Sequence, residues 1–187
     1  MPFSLVGINA NRMVPSIFKN YKYVPLEKTM TFNVNGTPVK VDVEARFNAA
    51  IALVTAKAQK GKCNDYFRTL PRKVSLLDVI NEGPIFLYYL APMKGYGEDV
   101  VPLANTAGRD IGVNISYLAS NDPNGLACTL VHELAHVAGA TTDKEAPAPE
   151  NLAAETSLLH CGCSKLFQKE SVGRIYRIDT GWPSRYV

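Results

Sequence analysis

Leu130-Val131-His132-Glu133-Leu134-Ala135-His136-Val137-Ala138-Gly139 is the stretch from which the rest of the chain is read. Residues four apart share one face of a helix, so His132 and His136 project to the same side. Two imidazoles one turn apart can hold one tetrahedral Zn²⁺, and a glutamate between them can act as general base on water at that ion. On the helical wheel Ala127, Leu130, Val131, Leu134, Val137 and Ala138 form a broad apolar stripe, with both histidines opposite it. The expectation is a helix with an apolar back that presents His132 and His136 on its front. The chain has three histidines, and two of them are in this motif.

Composition bounds what such a site can belong to. A chain of 187 residues is long enough to bury a core, and one domain over residues 1–187 is expected. Within it, residues 1–60 read as an irregular segment, a hairpin and a helix, and residues 61–187 as the catalytic core. A net charge of +3, with Lys and Arg scattered, gives no case for nucleic acid. No stretch approaches the ~20 apolar residues of a membrane span, so no membrane insertion is expected. Residues 1–7 carry neither a basic region nor a long apolar run, unlike a standard signal peptide. That leaves a cytosolic protein, a signal removed upstream, or export by a dedicated machine. Cys63, Cys128, Cys161 and Cys163 allow three pairings, and one or two disulfides or four reduced thiols all fit. Cys161 and Cys163 lack the two-residue gap of a second zinc knuckle.

Outward from the motif, the chain reads as α+β. Residues 1–28 look irregular. Alternating apolar positions on either side of Asn35-Gly36 predict a hairpin. Residues 46–59 carry a helical stripe, residues 64–70 read as a short helix before Pro71, and residues 75–81 as another capped by Ser75. Residues 85–90 form an apolar run of strand length, residues 92–108 read as loop, and residues 111–117 alternate like a half-exposed strand. Asp122 suits the cap and Pro123 the first position of the His-Glu-x-x-His helix, which Gly139 closes. A loop over residues 141–149, a helix over residues 150–159 and a strand over residues 174–178 complete the reading.

Catalytic zinc uses three protein ligands and leaves one position open. Glu155 lies among Leu152, Leu158 and Leu159 on an apolar helix face, where an unpartnered carboxylate is costly and a metal would be a sufficient partner. Asp143 is the rival ligand. His160 falls ~140° from Glu155 on the wheel and cannot share its role. Thr142 stands where a third histidine would sit in the pattern His-Glu-x-x-His-x-x-Gly-x-x-His.

His132-Glu133-x-x-His136, then 18 residues, then Glu155 resembles the gluzincin spacing of zincin metallopeptidases similar to aminopeptidase N. Gly139-Ala140-Thr141-Thr142-Asp143 is faintly similar to the aspzincins. Residues 63–71, Ser75-Leu76-Leu77-Asp78 and the run from Ala154-Glu155 to Cys161-Gly162 loosely resemble metallopeptidase domains of bacterial polymorphic toxins and type VI secretion effectors.

The resemblance implies a zincin-like fold: a small mixed sheet, an edge strand over residues 111–117 beside the active-site helix, and a second helix carrying the third ligand. It implies a zinc-dependent peptidase in which His132, His136 and Glu155 hold Zn²⁺ and Glu133 is the general base. Tyr176, His160 and Tyr96 are candidate donors to the oxyanion. The implied partners are a protein or peptide substrate, a secretion-apparatus carrier and a cognate immunity protein, with action in a target cell or periplasm. A peptidoglycan-directed zinc amidase and a non-enzymatic zinc-stabilised binding domain remain alternatives.

Overall fold

The computed structural model describes residues 2–18, 21–34, 36–91, 103–105, 109–114, 123–140, 153–163, 167–169 and 175–177. They form an α+β fold. A five-stranded mixed sheet has the order β1 (Phe3–Leu5), β5 (Ile85–Ala91), β7 (Asp110–Asn114), β6 (Leu103–Asn105), and β2 (Lys22–Val24) also pairs with β5. β5 lies parallel to both β1 and β7, whereas β2 runs antiparallel to β5 and β6 antiparallel to β7. β3 (Thr29–Val34) and β4 (Thr37–Asp42) make the expected hairpin, and β8 (Phe167–Lys169) pairs with β9 (Ile175–Arg177).

The apolar run at β5 follows from burial on both faces, since such strands need no polar alternation. Ile85, Leu87 and Tyr89 enter the main core, while Tyr88 and Leu90 join a smaller cluster with Val6 and Phe18. Gly112 leaves room for that second cluster: a Cβ there would lie 2.2 Å from Leu90 Cδ1 and 3.2 Å from Phe18 Cε1. The N-terminal segment seals this face with a polar clasp. Arg12 Nε donates to the Tyr88 hydroxyl at 3.0 Å, that hydroxyl donates to Asp110 Oδ1 at 3.0 Å, and Arg12 pairs with Asp110 at 3.1 Å. Burial, and then the Asp110 charge, push the Tyr88 hydroxyl up to about 12.

Five helices are described. α1 (Val43–Ala58) is N-capped by Asp42, which accepts from the Ala45 N–H at 2.8 Å. α2 (Gly61–Phe67) and α3 (Leu76–Asn81) follow, then α4 (Pro123–Val137) and α5 (Ala153–His160). At α3 the cap is reciprocal: Asp78 N–H donates to Ser75 Oγ, and Ser75 N–H donates to Asp78 Oδ2, each at 3.0 Å. Ser75→Ala is expected to cost about 1 kcal/mol, read as a lower urea midpoint at unchanged m-value. An unmoved midpoint would show that the cap contributes nothing.

The readings of residues 1–28, of residues 92–108 and of β7 are corrected. Residues 1–28 are not irregular throughout, because β1 and β2 complete one edge of β5. Strands of three residues are too short to leave a periodic signal. The first 60 residues supply two strands of the sheet, and α1 packs on α4. β7 is neither half-exposed nor at the edge. Ile111, Gly112 and Val113 are buried, and β6, in the stretch read as loop, pairs outside residues 110–112. Of the cysteine states left open by the sequence, the structure has two disulfides, Cys63–Cys161 and Cys128–Cys163. Among the described residues no helix is long and apolar enough to cross a membrane.

Candidate metal centre

α4 begins at Pro123, where the missing N–H costs nothing, and ends at Val137, with Gly139 in the turn that follows. Gly139 has φ +98°, so the chain reverses there and the Ala140 N–H donates to Ala135 O at 2.9 Å. A Cβ at Gly139 would also press to 3.1 Å from Pro71 Cβ. Arg72 fixes the same turn, its backbone N–H donating to Ala138 O and its guanidinium to Val137 O, both at 3.1 Å.

This turn has a chemical consequence. It brings Ala140 O to 3.0 Å from His136 Nδ1, which assigns the proton of the neutral ring to Nδ1 and leaves a lone pair on Nε2. His136 Nε2 lies 3.1 Å from His132 Nε2, with the rings at 78°. Two imidazole nitrogens on one tetrahedral Zn²⁺ stand about 3.3 Å apart, given Zn–N of ~2.0–2.1 Å. The pair is therefore spaced to share one ion.

The expectation of an exposed front is corrected. Every residue from Gly125 to Val137 is buried, and each of the two histidines retains 8% exposure. The helix is covered on all sides, partly because α1 and α5 pack against it. Burial, and then the neighbouring His136, drive His132 down to about 3, and burial also lowers His136. Both rings are neutral at pH 7 and can act as ligands.

Two buried carboxyls accompany them. Glu133 is 1% exposed, and both its oxygens lack a hydrogen-bond partner among the described residues. Its Oε1 lies 3.9 Å from His132 Nε2. Burial, and then the charge of Glu155, push Glu133 up to about 8. Glu155 on α5 is 5% exposed with an unpartnered Oε2, and burial raises it to about 7. A divalent cation would reverse this by supplying the missing positive charge. Among the described residues, however, no three His, Cys, Asp or Glu side chains are gathered into a set that could hold a metal. The histidine pair and Glu133 are brought together, while Glu155 stands on the neighbouring helix without closing onto them.

The remaining candidates sit elsewhere. His160 is exposed at the end of α5 and stacks on Tyr66, with ring centroids 4.6 Å apart. Asp143 and Tyr96 lie outside the described residues, as does the side chain of Tyr176 in β9. Ala140 was missed as an orienting group because its carbonyl belongs to the backbone. The one sequence signal for it was Gly139 placed to reverse the chain. No protein-family model matches the chain, and neither a curated protein nor a solved structure does.

Proposed function

We propose that the protein is a zinc-dependent peptidase of zincin type, with His132 and His136 as ligands, Glu155 as the third and Glu133 as general base. The observation that carries this reading is the pairing of two neutral imidazoles 3.1 Å apart with a buried carboxyl beside them that has no hydrogen-bond partner among the described residues. A site that only stabilises the fold needs no such carboxyl and normally fills all four metal positions with protein ligands. An unpartnered carboxyl in a buried site is costly unless function retains it.

When bound, zinc supplies Lewis acidity toward a substrate carbonyl and acidifies water at the site. Glu133 takes the proton from the attacking water and returns it to the departing nitrogen. His136 is kept in the tautomer that exposes Nε2 by the Ala140 carbonyl. The two disulfides suit a chain that works in an oxidising compartment, in keeping with an exported toxin or effector.

The test is metal content of purified wild type beside Glu155→Ala and Asp143→Ala. One zinc per chain, lost in Glu155→Ala and kept in Asp143→Ala, is the expected result. The reverse moves the third ligand to Asp143. No zinc in wild type after reconstitution would end the reading. Casein and purified cell wall as parallel substrates then separate peptidase from peptidoglycan amidase.

A further inference from the structure

α5 carries Glu155 but has only eight residues, too few to hold a helix by itself in water. Its buried side chains are Ala154, Glu155, Ser157 and Leu158. That is little apolar surface to offset placing a carboxyl, 5% exposed and with one oxygen unpartnered, against the helix of Glu133. Burial of Glu155 opposes the noncovalent ties of α5, in which the Tyr66 hydroxyl donates to Ala153 O at 2.7 Å and the Tyr66 ring stacks on His160, and it favours turning Glu155 into water.

The turn that follows α5 prevents this. Cys161 bonds to Cys63 on α2, and Cys163 bonds to Cys128 on α4, four residues before His132. Between the two bonds, the buried Lys57 of α1 donates to the carbonyls of Cys161 and Gly162 at 3.1 and 3.2 Å. One end of α5 is thus tied to three helices, and both covalent ties are reducible.

We propose that the two disulfides are a redox lock on the metal centre. This rests on the zinc reading above. In the oxidised chain α5 is held against α4, and Glu155, which is not gathered onto the histidine pair by itself, joins it as third ligand when the ion binds. Each disulfide takes two electrons and two protons from a thiol reductant, which is itself oxidised to a disulfide, and becomes two thiols. Once both have opened, α5 leaves α4 and the ion retains two protein ligands. A chain in a reducing compartment is therefore unarmed, and transfer to an oxidising one arms it. By linkage, zinc also protects the disulfides from reduction.

Thiols bind zinc, so serine variants are the cleaner arm. Zinc affinity is measured by competition with a chromophoric chelator for oxidised wild type and for the chain with Cys63→Ser, Cys161→Ser, Cys128→Ser and Cys163→Ser. Each is compared with and without Glu155→Ala, with circular dichroism in parallel. The expected result is weakening by about 100-fold or more in the serine chain. Glu155→Ala should weaken wild type similarly and add nothing to the serine chain, because both remove the same ligand. Equal affinity in the oxidised and serine chains would overturn the lock. So would additive losses, or a serine chain whose core has unfolded, since either makes the bonds general staples. Absence of zinc from oxidised wild type would instead remove the metal reading, and the lock with it.

Discussion

Glu133→Gln is expected to lower peptide hydrolysis by roughly 10²–10⁴-fold while leaving zinc bound. Glutamine has the same shape and fills the same buried space, so the helix has no reason to move. It cannot accept a proton at neutral pH, and proton transfer is the role assigned to this position. Glu133 is not one of the proposed ligands, so metal content is the control. With burial and Glu155 raising its pKa to about 8, Glu133 is protonated at pH 7 in the metal-free chain, and glutamine mimics that form. Folding should therefore be nearly unchanged at pH 7. Zinc by elemental analysis and kcat/KM on a cleaved peptide measure the two sides. Hydrolysis within tenfold of wild type would remove Glu133 as the base.

The metal-free chain is expected to lose stability as pH rises from about 6.5 to about 8. An ordinary glutamate titrates at 4.5, so the unfolded chain has already lost its protons in this window. Folded Glu133 keeps its proton up to about 8 and folded Glu155 up to about 7. The folded state binds more protons, so raising the pH favours unfolding, by about 2 kcal/mol over the window. Below 6.5 the histidines act in the opposite sense. The unfolded chain protonates them there, while folded His132 resists down to about 3, so acid also destabilises. The carboxyl and histidine effects partly cancel between 4.5 and 6.5. Urea unfolding with chelator at a series of pH values reads the curve. Glu133→Gln should flatten its alkaline limb. A stability that stays level or rises from pH 6.5 to 8 would contradict the burial that raises both carboxyls.

Some of this was legible in the chain because single residues carry strong local signals. Gly36 between alternating strands, Ser75 before α3, and Pro123 and Gly139 at the two ends of α4 each fulfil a backbone requirement of the element they bound. The histidine pair was legible because four-residue spacing is a property of the helix itself. What escaped depended on partners distant in sequence. The apolar stripe of α4 correctly implied a core behind it, but nothing local announces that other helices cover the front. β7 alternates like a half-exposed strand, yet Gly112 is small because it admits Leu90 and Phe18. The cysteine pairing joins residues 98 and 35 positions apart, and no spacing rule chooses between three pairings. Glu155 was selected because a carboxylate on an apolar face needs a reason. That face is indeed buried, although the third donor is not gathered onto the pair.

The pairing of β1 with β5 bears on how the chain is made. Leu5 stands opposite Leu87, so the first strand emerges from the ribosome about 80 residues ahead of the strand it must join. At ~5–20 residues per second, that is roughly 4–16 seconds during which Phe3 and Leu5 have no sheet to enter. β5 faces the converse hazard. It is apolar on both sides, and one of its edges stays open until β1 and β2 return to it. The nascent protein is thus exposed to misassociation between the synthesis of β5 and the docking of β1 and β2, and a chaperone that holds these two strands would act at that interval.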